Sequence, residues 1–149
     1  MHYIGNKEIL NNYKIGFICS RKVPASIILK TYDWAIEQRD NGVCVVSGFH
    51  SKIEKDVFDI LAKGTQPIIL VLARGMLKRF DKKLLQMIEA NRLLIISPFE
   101  NKVTRPTIQT AIKRNELTAE ISDRIFIPYA SEKSSLLHLI KKFRYKLIF

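Results

Sequence analysis

The residues with the clearest chemical potential follow a short β-branched run in the first half of the chain. Residues 43–46 predict a buried strand, Ser47-Gly48 predicts a tight turn, and Ser51 with Glu54 three residues later has the capping-box pattern of a helix start. A strand end and a helix start bring several backbone N–H groups to one point, where they can bind phosphate oxygens. The pattern therefore predicts a site for a nucleotide or a nucleic acid.

Hydroxyl and basic residues also follow the other predicted strands. Each short pattern alone fits a plain turn or a solvated helix face, but together they place hydroxyls, N–H groups and guanidinium groups along one sheet edge. Such a set suits phosphate far better than an apolar metabolite. The candidate phosphate-binding residues are Ser20, Arg21, Ser47, Gly48, His50, Ser51, Lys52, Arg74, Gly75, Lys113, Arg114 and Asn115.

The sequence lacks the usual patterns of enzymes and metal sites. His2, His50 and His138 are isolated, and no Cys/His spacing fits a zinc site. Neither the dinucleotide-binding G-x-G-x-x-G pattern nor the P-loop pattern occurs. We therefore expect no catalytic residue, no metal and no cofactor. Cys19 and Cys44 lie in strand-like runs, where we expect them to act as small apolar residues.

The charge balance favours a polyanionic partner. The 149 residues carry a formal net charge of +11, which indicates nucleic acid first and an acidic membrane second. The alternative is a generally basic surface. Eleven cations lie in or just after segments that we place at the carboxyl ends of strands, the ligand-binding edge of an open parallel sheet. They are Arg21, Lys22, Lys52, Lys55, Arg74, Lys78, Arg79, Lys102, Arg105, Lys113 and Arg114.

The remaining patterns predict the fold. Strands at 14–19, 43–47, 67–73, 92–97 and 124–128 alternate with helices at 24–41, 51–62, 77–88, 107–122 and 136–143. Such alternation predicts an α/β fold: a three-layer, Rossmann-like, mostly parallel sheet of five to six strands with helices on both faces, in one domain over 1–149. Residues 1–13 are a polar lead-in with a short helix at 7–12. Residues 145–149 either add an edge strand or pack down.

The length of the apolar runs bears on location. The longest, at 67–73 and 93–96, fall far short of the ~20 residues that span a bilayer, and the start lacks a signal-peptide pattern. We therefore expect a soluble cytoplasmic protein that does not contact a membrane.

The predicted helix at 107–122 contains one polar residue in an unexpected place. Ile108, Ala111, Ile112 and Ala119 define its inward face by their spacing, and Asn115 lies on the same face. A buried amide must find hydrogen-bond partners. These come either from a neighbouring strand-end loop or from a ligand.

Six segments occur in a characteristic order along the chain. They are Cys-Ser-Arg-Lys (19–22), Val-Val-Ser-Gly-Phe-His-Ser-Lys-Ile-Glu (45–54), Ile-Ile-Leu-Val-Leu-Ala-Arg-Gly (68–75), Leu-Leu-Ile-Ile-Ser-Pro-Phe (93–99), Lys-Arg-Asn-Glu-Leu-Thr-Ala-Glu-Ile-Ser-Asp (113–123) and Ser-Glu-Lys-Ser-Ser (131–135). The series resembles the motifs of the DNA-processing protein DprA family, also called Smf, over about residues 4–140. The chain departs from the family pattern at Cys19, Lys52, Glu54 and Glu116.

The resemblance implies an extended Rossmann-like fold that binds single-stranded DNA in a basic pocket, forms a homodimer and passes the strand to a RecA-type recombinase. By motif position, the residues lining the pocket would be Ser20, Arg21, Ser47, Gly48, Arg114 and Asn115. Three alternatives stay open: a sensor of a nucleotide or nucleotide-derived ligand, a nucleotide hydrolase, and a protein-docking role without ligand. The hydrolases of the wider superfamily carry a Pro-Gly-Gly-x-Gly-Thr motif, which this sequence lacks.

Overall fold

The computed structural model describes residues 1–148. Its strands are β1 (His2–Gly5), β2 (Lys14–Phe17), β3 (Cys44–Ser47), β4 (Ile68–Val71), β5 (Leu93–Ser97) and β6 (Arg124–Phe126). Its α-helices are α1 (Ala25–Asp40), α2 (Lys52–Ala62), α3 (Lys82–Glu89), α4 (Ile108–Ile121) and α5 (Leu136–Lys142). Two 3₁₀ helices span Lys7–Asn11 and Arg144–Lys146. No helix within 1–148 is both long and apolar enough to cross a membrane.

The six strands form one sheet in the order β1-β5-β4-β3-β2-β6. Strands β2 to β6 run parallel, and only β1 pairs antiparallel, with β5. Helices α1, α2 and α3 pack on one face, while α4, α5 and the first 3₁₀ helix pack on the other. This arrangement confirms the predicted three-layer α/β fold. Because β3 and β6 flank β2 on opposite sides, the sheet has its topological switch point at β2.

The central strands are apolar throughout because both of their faces are covered. Along β4, Ile68 and Leu70 face α1, α2 and α3, whereas Ile69 and Val71 face α4. The strand ends therefore lie at fixed positions above a dry core, and the loops that leave them can hold side chains in place.

The two ends of the chain show what sequence patterns missed. Strand β1 was read as lead-in because its own pattern is weak, and pairing with β5 is what makes it a strand. The short helix predicted at 7–12 is the 3₁₀ helix Lys7–Asn11. Near the other end, Leu147 is buried and makes an isolated bridge to Ile125, so this segment packs down without adding an edge strand. Phe149 lies outside the described residues.

Two helix predictions were wrong in detail. Helix α3 begins at Lys82, not at 77, because the Asp81 side chain accepts the Leu84 N–H and caps the helix there. Ile36 of α1 was assigned to the inward stripe but is 38% exposed, and Thr31 and Ala35 are the fully buried residues of that helix.

Candidate functional site

An open cavity of about 740 Å³ lies at the carboxyl edge of the sheet. Its wall includes residues from 19–22 after β2, 50–54 after β3, 106–115 at the start of α4, and 131–136 after β6. Ala73, after β4, also contributes. The cavity therefore sits over the switch point at β2, where open α/β sheets bind their ligands.

The structure divides the twelve candidate residues into two sets. Those in the cavity wall are Ser20, Arg21, His50, Ser51, Arg114 and Asn115. Those that do not line it are Ser47, Gly48, Lys52, Arg74, Gly75 and Lys113. All twelve lie at the predicted edge of the sheet. Their local contacts decide which of them reach the cavity.

Lys52 points away from the cavity. Its side chain is 86% exposed, and its Nζ donates to Asp56 Oδ1 at 2.8 Å. The Tyr32 hydroxyl donates to the other oxygen of the same carboxylate. The hydrogen bond from Lys52 contributes most to holding the pKa of Asp56 below its ordinary value, and the one from Tyr32 adds to it. Lys52 is thus the cation of a surface ion pair.

Arg74 and Gly75 belong to a contact between two loops. The Gly75 N–H donates to Val103 O at 2.7 Å, and Arg74 Nε donates to Gly75 O at 3.1 Å. A Cβ on Gly75 would lie 2.5 Å from Glu100 O, so the close approach needs glycine. Lys113 is exposed, with its Nζ 5.9 Å from the Phe99 ring centroid.

Ser47 and Gly48 form the floor beneath the cavity wall. Ser47 is fully buried, and its hydroxyl accepts the Phe49 N–H at 3.1 Å, which holds the turn. A Cβ on Gly48 would overlap the guanidinium group of Arg114. Gly48 therefore leaves the space that lets Arg114 lie flat over the end of β3.

Arg114 is the buried cation of the site, only 6% exposed. Its Nε donates to Asn115 Oδ1 at 2.8 Å, whereas its two Nη groups have no hydrogen-bond acceptor, and no carboxylate oxygen lies within 4 Å, among residues 1–148. Burial lowers the pKa of Arg114 and the charge of Glu54 opposes this shift. The Oδ1 atom of Asn115 thus has a protein partner on its own helix, which is neither of the two sources expected for it.

The start of α2 carries an anion of its own. Glu54 Oε1 accepts the N–H groups of His50 at 2.9 Å and Ser51 at 3.3 Å. Its Oε2 accepts the Cys19 N–H at 3.2 Å. The first two helical N–H groups of α2 have no acceptor among the described residues, but the buried Glu54 carboxylate places a negative charge beside them, which works against a second anion. The phosphate site at this turn stays a prediction.

The start of α4 opens onto the cavity. Thr107 caps the helix, and its N–H and hydroxyl pair with Thr110. The N–H groups of Ile108 and Gln109 have no acceptor among the described residues. The positive end of the helix dipole, with free N–H donors, therefore faces the cavity.

The inward face predicted for α4 was correct only at Ala119, which is fully buried in the core. Ile108 is 81% exposed, and Ile108, Ala111 and Ile112 form an apolar side of the cavity.

Polar residues of α4 also lie against the sheet. They are Arg114 and Thr118, with Ser122 just after the helix end, and Gly16 and Gly48 make room for them. Spacing therefore identified the stripe, but its first turn lines the cavity and not the core.

The pKa of His50 reflects the charges around the cavity. Partial burial lowers the pKa of its imidazole, and the charges of Arg114, Arg21 and Lys55 lower it further, against an opposing effect of Glu54. The imidazole is therefore neutral at pH 7. Three cations around one neutral ring indicate a positive potential at the cavity mouth.

The loop after β6 forms part of the cavity wall, and none of its residues was among the candidate residues. The Ser131 N–H donates to Ser20 Oγ at 3.0 Å, and the Ser20 N–H donates to Tyr129 O at 3.2 Å. Ser134 and Ser135 lie in the wall beside them. The sequence signal for this loop was the 131–135 segment of the family resemblance.

The thiols and carboxylates show no metal-binding arrangement. Burial, followed by the charge of Glu54, raises the pKa of Cys19 to about 12. Burial raises the pKa of Cys44 to about 12 as well. Both thiols stay protonated and act as small apolar side chains. Within 1–148, no cluster of three His, Cys, Asp or Glu residues could hold a metal ion.

Comparison with known proteins assigns the chain to a family. The family model described as DNA recombination-mediator protein A matches residues 1–142. The chain belongs to this family. The match confirms the resemblance carried by the six segments. No curated protein matches the chain.

Two solved structures of similar proteins agree with this fold. DNA processing protein A from Helicobacter pylori, described for its single-stranded DNA binding mode, is 22% identical, with a TM-score of 0.75. The match covers 97% of this chain and 68% of that one. DprA from Streptococcus pneumoniae is 20% identical, with a TM-score of 0.76, and 97% of this chain matches 51% of that protein. The chain thus spans about half the length of the pneumococcal protein.

Proposed function

We propose that this recombination-mediator family member binds single-stranded DNA, with one nucleotide unit in the cavity and a phosphate on Arg114. The observation that carries the proposal is the pair of Arg114 Nη groups, which are at the cavity wall without a protein acceptor. Because both Nη groups are open to the cavity, an anion there can be their partner. A phosphate would supply that partner in the two-pronged geometry that guanidinium groups prefer.

Other groups in the wall suit the rest of a nucleotide. Arg21 and Lys22 are exposed cations on the opposite loop, and the start of α4 adds free N–H groups. Ile108 and Ile112 provide an apolar side against which a base or a sugar can pack. The cavity therefore combines donors for an anion with an apolar surface for the unit that carries it.

The carboxylates of the cavity wall fit a protein that binds its ligand without cleaving a bond. Glu54 is the one carboxylate that lines the cavity in the described part of the chain. Because three backbone N–H groups donate to it, its oxygens are engaged in holding the turn together. A carboxylate that acts as a general base must have an oxygen free to reach the substrate, and Glu54 has none. We therefore propose a binding protein and not a hydrolase.

Fluorescence-anisotropy titration with a labelled single-stranded oligonucleotide tests this function. Arg21→Ala should weaken binding and reduce the slope of log affinity against log salt by about 0.7. Lys52→Ala removes the same charge outside the cavity and serves as the matched control, with little expected change. Wild-type affinity that is the same at low and high salt, or equal losses in both variants, would contradict the proposal.

A single nucleotide is the second candidate ligand. A cavity of about 740 Å³ falls within the size range of small-ligand sites. If a mononucleotide is the ligand, it should raise the melting temperature and displace the labelled oligonucleotide, while oligonucleotides alone give no thermal shift. A thermal shift with oligonucleotides and none with mononucleotides favours the DNA proposal.

We also propose a RecA-type recombinase as the partner and a homodimer as the working form. The family description as a recombination mediator supports the first, and the resemblance of the six segments supports both. This role would place the protein in the cytoplasm. Light scattering measures the mass in solution, and recombinase loading on protein-coated single strands tests the partner. A monomer that leaves loading unchanged would contradict both.

A further inference from the structure

Basic residues continue from the cavity wall along the loops that follow β4 and β5. Arg74 directly follows the wall residue Ala73, and Arg105 directly precedes the wall residue Pro106. Three further cations, Lys78, Arg79 and Lys82, are exposed on the loop between β4 and α3 and at the start of α3. Both loops begin at the carboxyl ends of strands, so these cations share an edge with the cavity.

The two loops form one surface because they are joined to each other. The Gly75 N–H donates to Val103 O at 2.7 Å, and Ser97 Oγ donates to Arg74 O at 2.6 Å. The backbone at Glu100 and Asn101 lies against Gly75 without space for a side chain between them. Charges on one loop are therefore held beside charges on the other.

Some cations of this surface form ion pairs, and others do not. Lys83 pairs with Asp59, and Lys102 pairs with Glu100. The remaining carboxylate, Asp81, caps α3. Four exposed cations have no ion-pair partner within 1–148, and we call them the edge strip: Lys78, Arg79, Lys82 and Arg105.

One strip residue lies at a helix start. Lys82 is the first residue of α3, and that helix has no acidic residue in its first turn. The carboxylate of the capping residue Asp81 supplies the negative charge that a helix start favours. Lys82 is therefore tolerated at this position and stays exposed to solvent.

We propose that the edge strip is a second phosphate-contact surface, over which the single strand continues after leaving the cavity. The proposal rests on the DNA-binding function proposed above and extends it, because it makes the binding site longer than the cavity. Sequence-independent backbone contacts of this kind require cations without specific base contacts. The strip therefore contributes affinity and strand path, while the cavity holds one nucleotide unit.

An oligonucleotide length series tests the strip. Anisotropy is measured with labelled single strands of about 3 and about 20 nucleotides on the wild type, on the variant Lys78→Gln/Arg79→Gln/Lys82→Gln and on the control Lys30→Gln/Lys63→Gln/Lys141→Gln. The control removes the same charge from exposed, unpaired positions on α1, directly after α2 and on α5. The strip variant should bind the long strand about tenfold more weakly, with a salt slope lower by about 2, and bind the short strand like the wild type.

Each other result has a defined meaning. Equal losses in the strip and control variants would overturn the proposal, because total charge would then explain them. Equal losses for short and long strands would overturn it as a separate surface. Unchanged binding of the long strand would overturn it outright. Failure of the proposed function looks different, because the wild type would then bind neither strand and Arg21→Ala would change nothing.

Discussion

Helices α2 and α4 begin at the same edge of the sheet with the same kind of cap, yet only α2 carries a carboxylate of its own in its first turn. Ser51 and Thr107 cap the two helices, and in each case the residue three positions later completes a capping box. In α2 that residue is Glu54, and its carboxylate takes three N–H groups. In α4 it is the uncharged Thr110. The identity of this one residue decides whether a helix start carries a negative charge that repels a second anion or leaves its N–H groups open to an anion from outside.

Arg114 connects the two helix starts. It rises from α4, lies over Gly48 just before α2, and feels the charge of Glu54 without pairing with it. The negative charge of Glu54 thus favours the charged guanidinium group, while its Nη groups stay available. Four predictions test this division between a helix start with a carboxylate of its own and one without.

The largest effect on binding should come from Arg114→Met. Removing the buried cation should weaken single-stranded DNA binding by about 2–3 kcal/mol, the loss expected for charge-assisted hydrogen bonds. The melting temperature should change little, because a buried charge is itself costly. Anisotropy and thermal melting measure the two quantities. Lys113→Met, one residue away on the exposed side, is the control, and a similar loss there would break the comparison.

Stability should respond most to Glu54→Gln. The amide offers one acceptor oxygen where the carboxylate holds three N–H groups, so the free energy of unfolding should fall by about 2 kcal/mol in urea denaturation. Thr110→Val removes the corresponding side-chain cap of α4 and should cost about 0.5–1 kcal/mol. Equal costs would show that the two helix starts do not differ as described.

Gly48→Ala should move Arg114 without removing it. The new methyl group overlaps the guanidinium group, so we expect about tenfold weaker binding and a stability loss of about 1 kcal/mol. Gly42→Ala is a contrasting control, because a Cβ there meets no atom within 4 Å, although φ is +70° and strain alone should lower its stability. Binding by Gly48→Ala at wild-type affinity would mean that Arg114 can act from another position.

The smallest expected effect is a pH dependence that passes through His50. Cations and burial hold the pKa of the free imidazole below its ordinary value, and a bound phosphate raises it. The complex then binds more protons than the free protein, so affinity should increase a few-fold as pH falls from 7.5 to 5.5. His50→Asn should remove that increase. An identical pH profile in the variant would assign the effect to another group.

Sequence patterns predicted the layered fold because each of its elements has a local cause. The strand at 68–71 is apolar at every position, and helix α2 starts at Ser51 as its capping box indicates. Strand β1 had no such local signal, since pairing with β5 defines it. The start of α3 was misplaced because Leu77 and Phe80 continue an apolar spacing although they lie in a loop that packs on the core.

The candidate site was predicted to the level of the sheet edge and no further. Lys52 and Arg74 lie at that edge but do not line the cavity. Lys52 forms an ion pair with Asp56, and Arg74 hydrogen-bonds to the loop backbone. Ile108 has the spacing of a core residue, and only the packing of α4 reveals that it covers the cavity. Spacing identifies a face of a helix, whereas the neighbours that the face meets depend on the whole chain.

The amino-acid sequence by itself determined the α/β alternation, the family and the edge at which the loops meet, because periodicity, capping residues and short motifs act locally. Only the tertiary structure decided that Glu54 accepts the Cys19 N–H beside the start of α2, that the start of α4 faces the cavity, and that Gly48 lets Arg114 lie at the cavity wall. Those outcomes depend on contacts between residues as far apart in the chain as Gly48 and Arg114, and the cost of burying unpaired polar and charged groups selects among them.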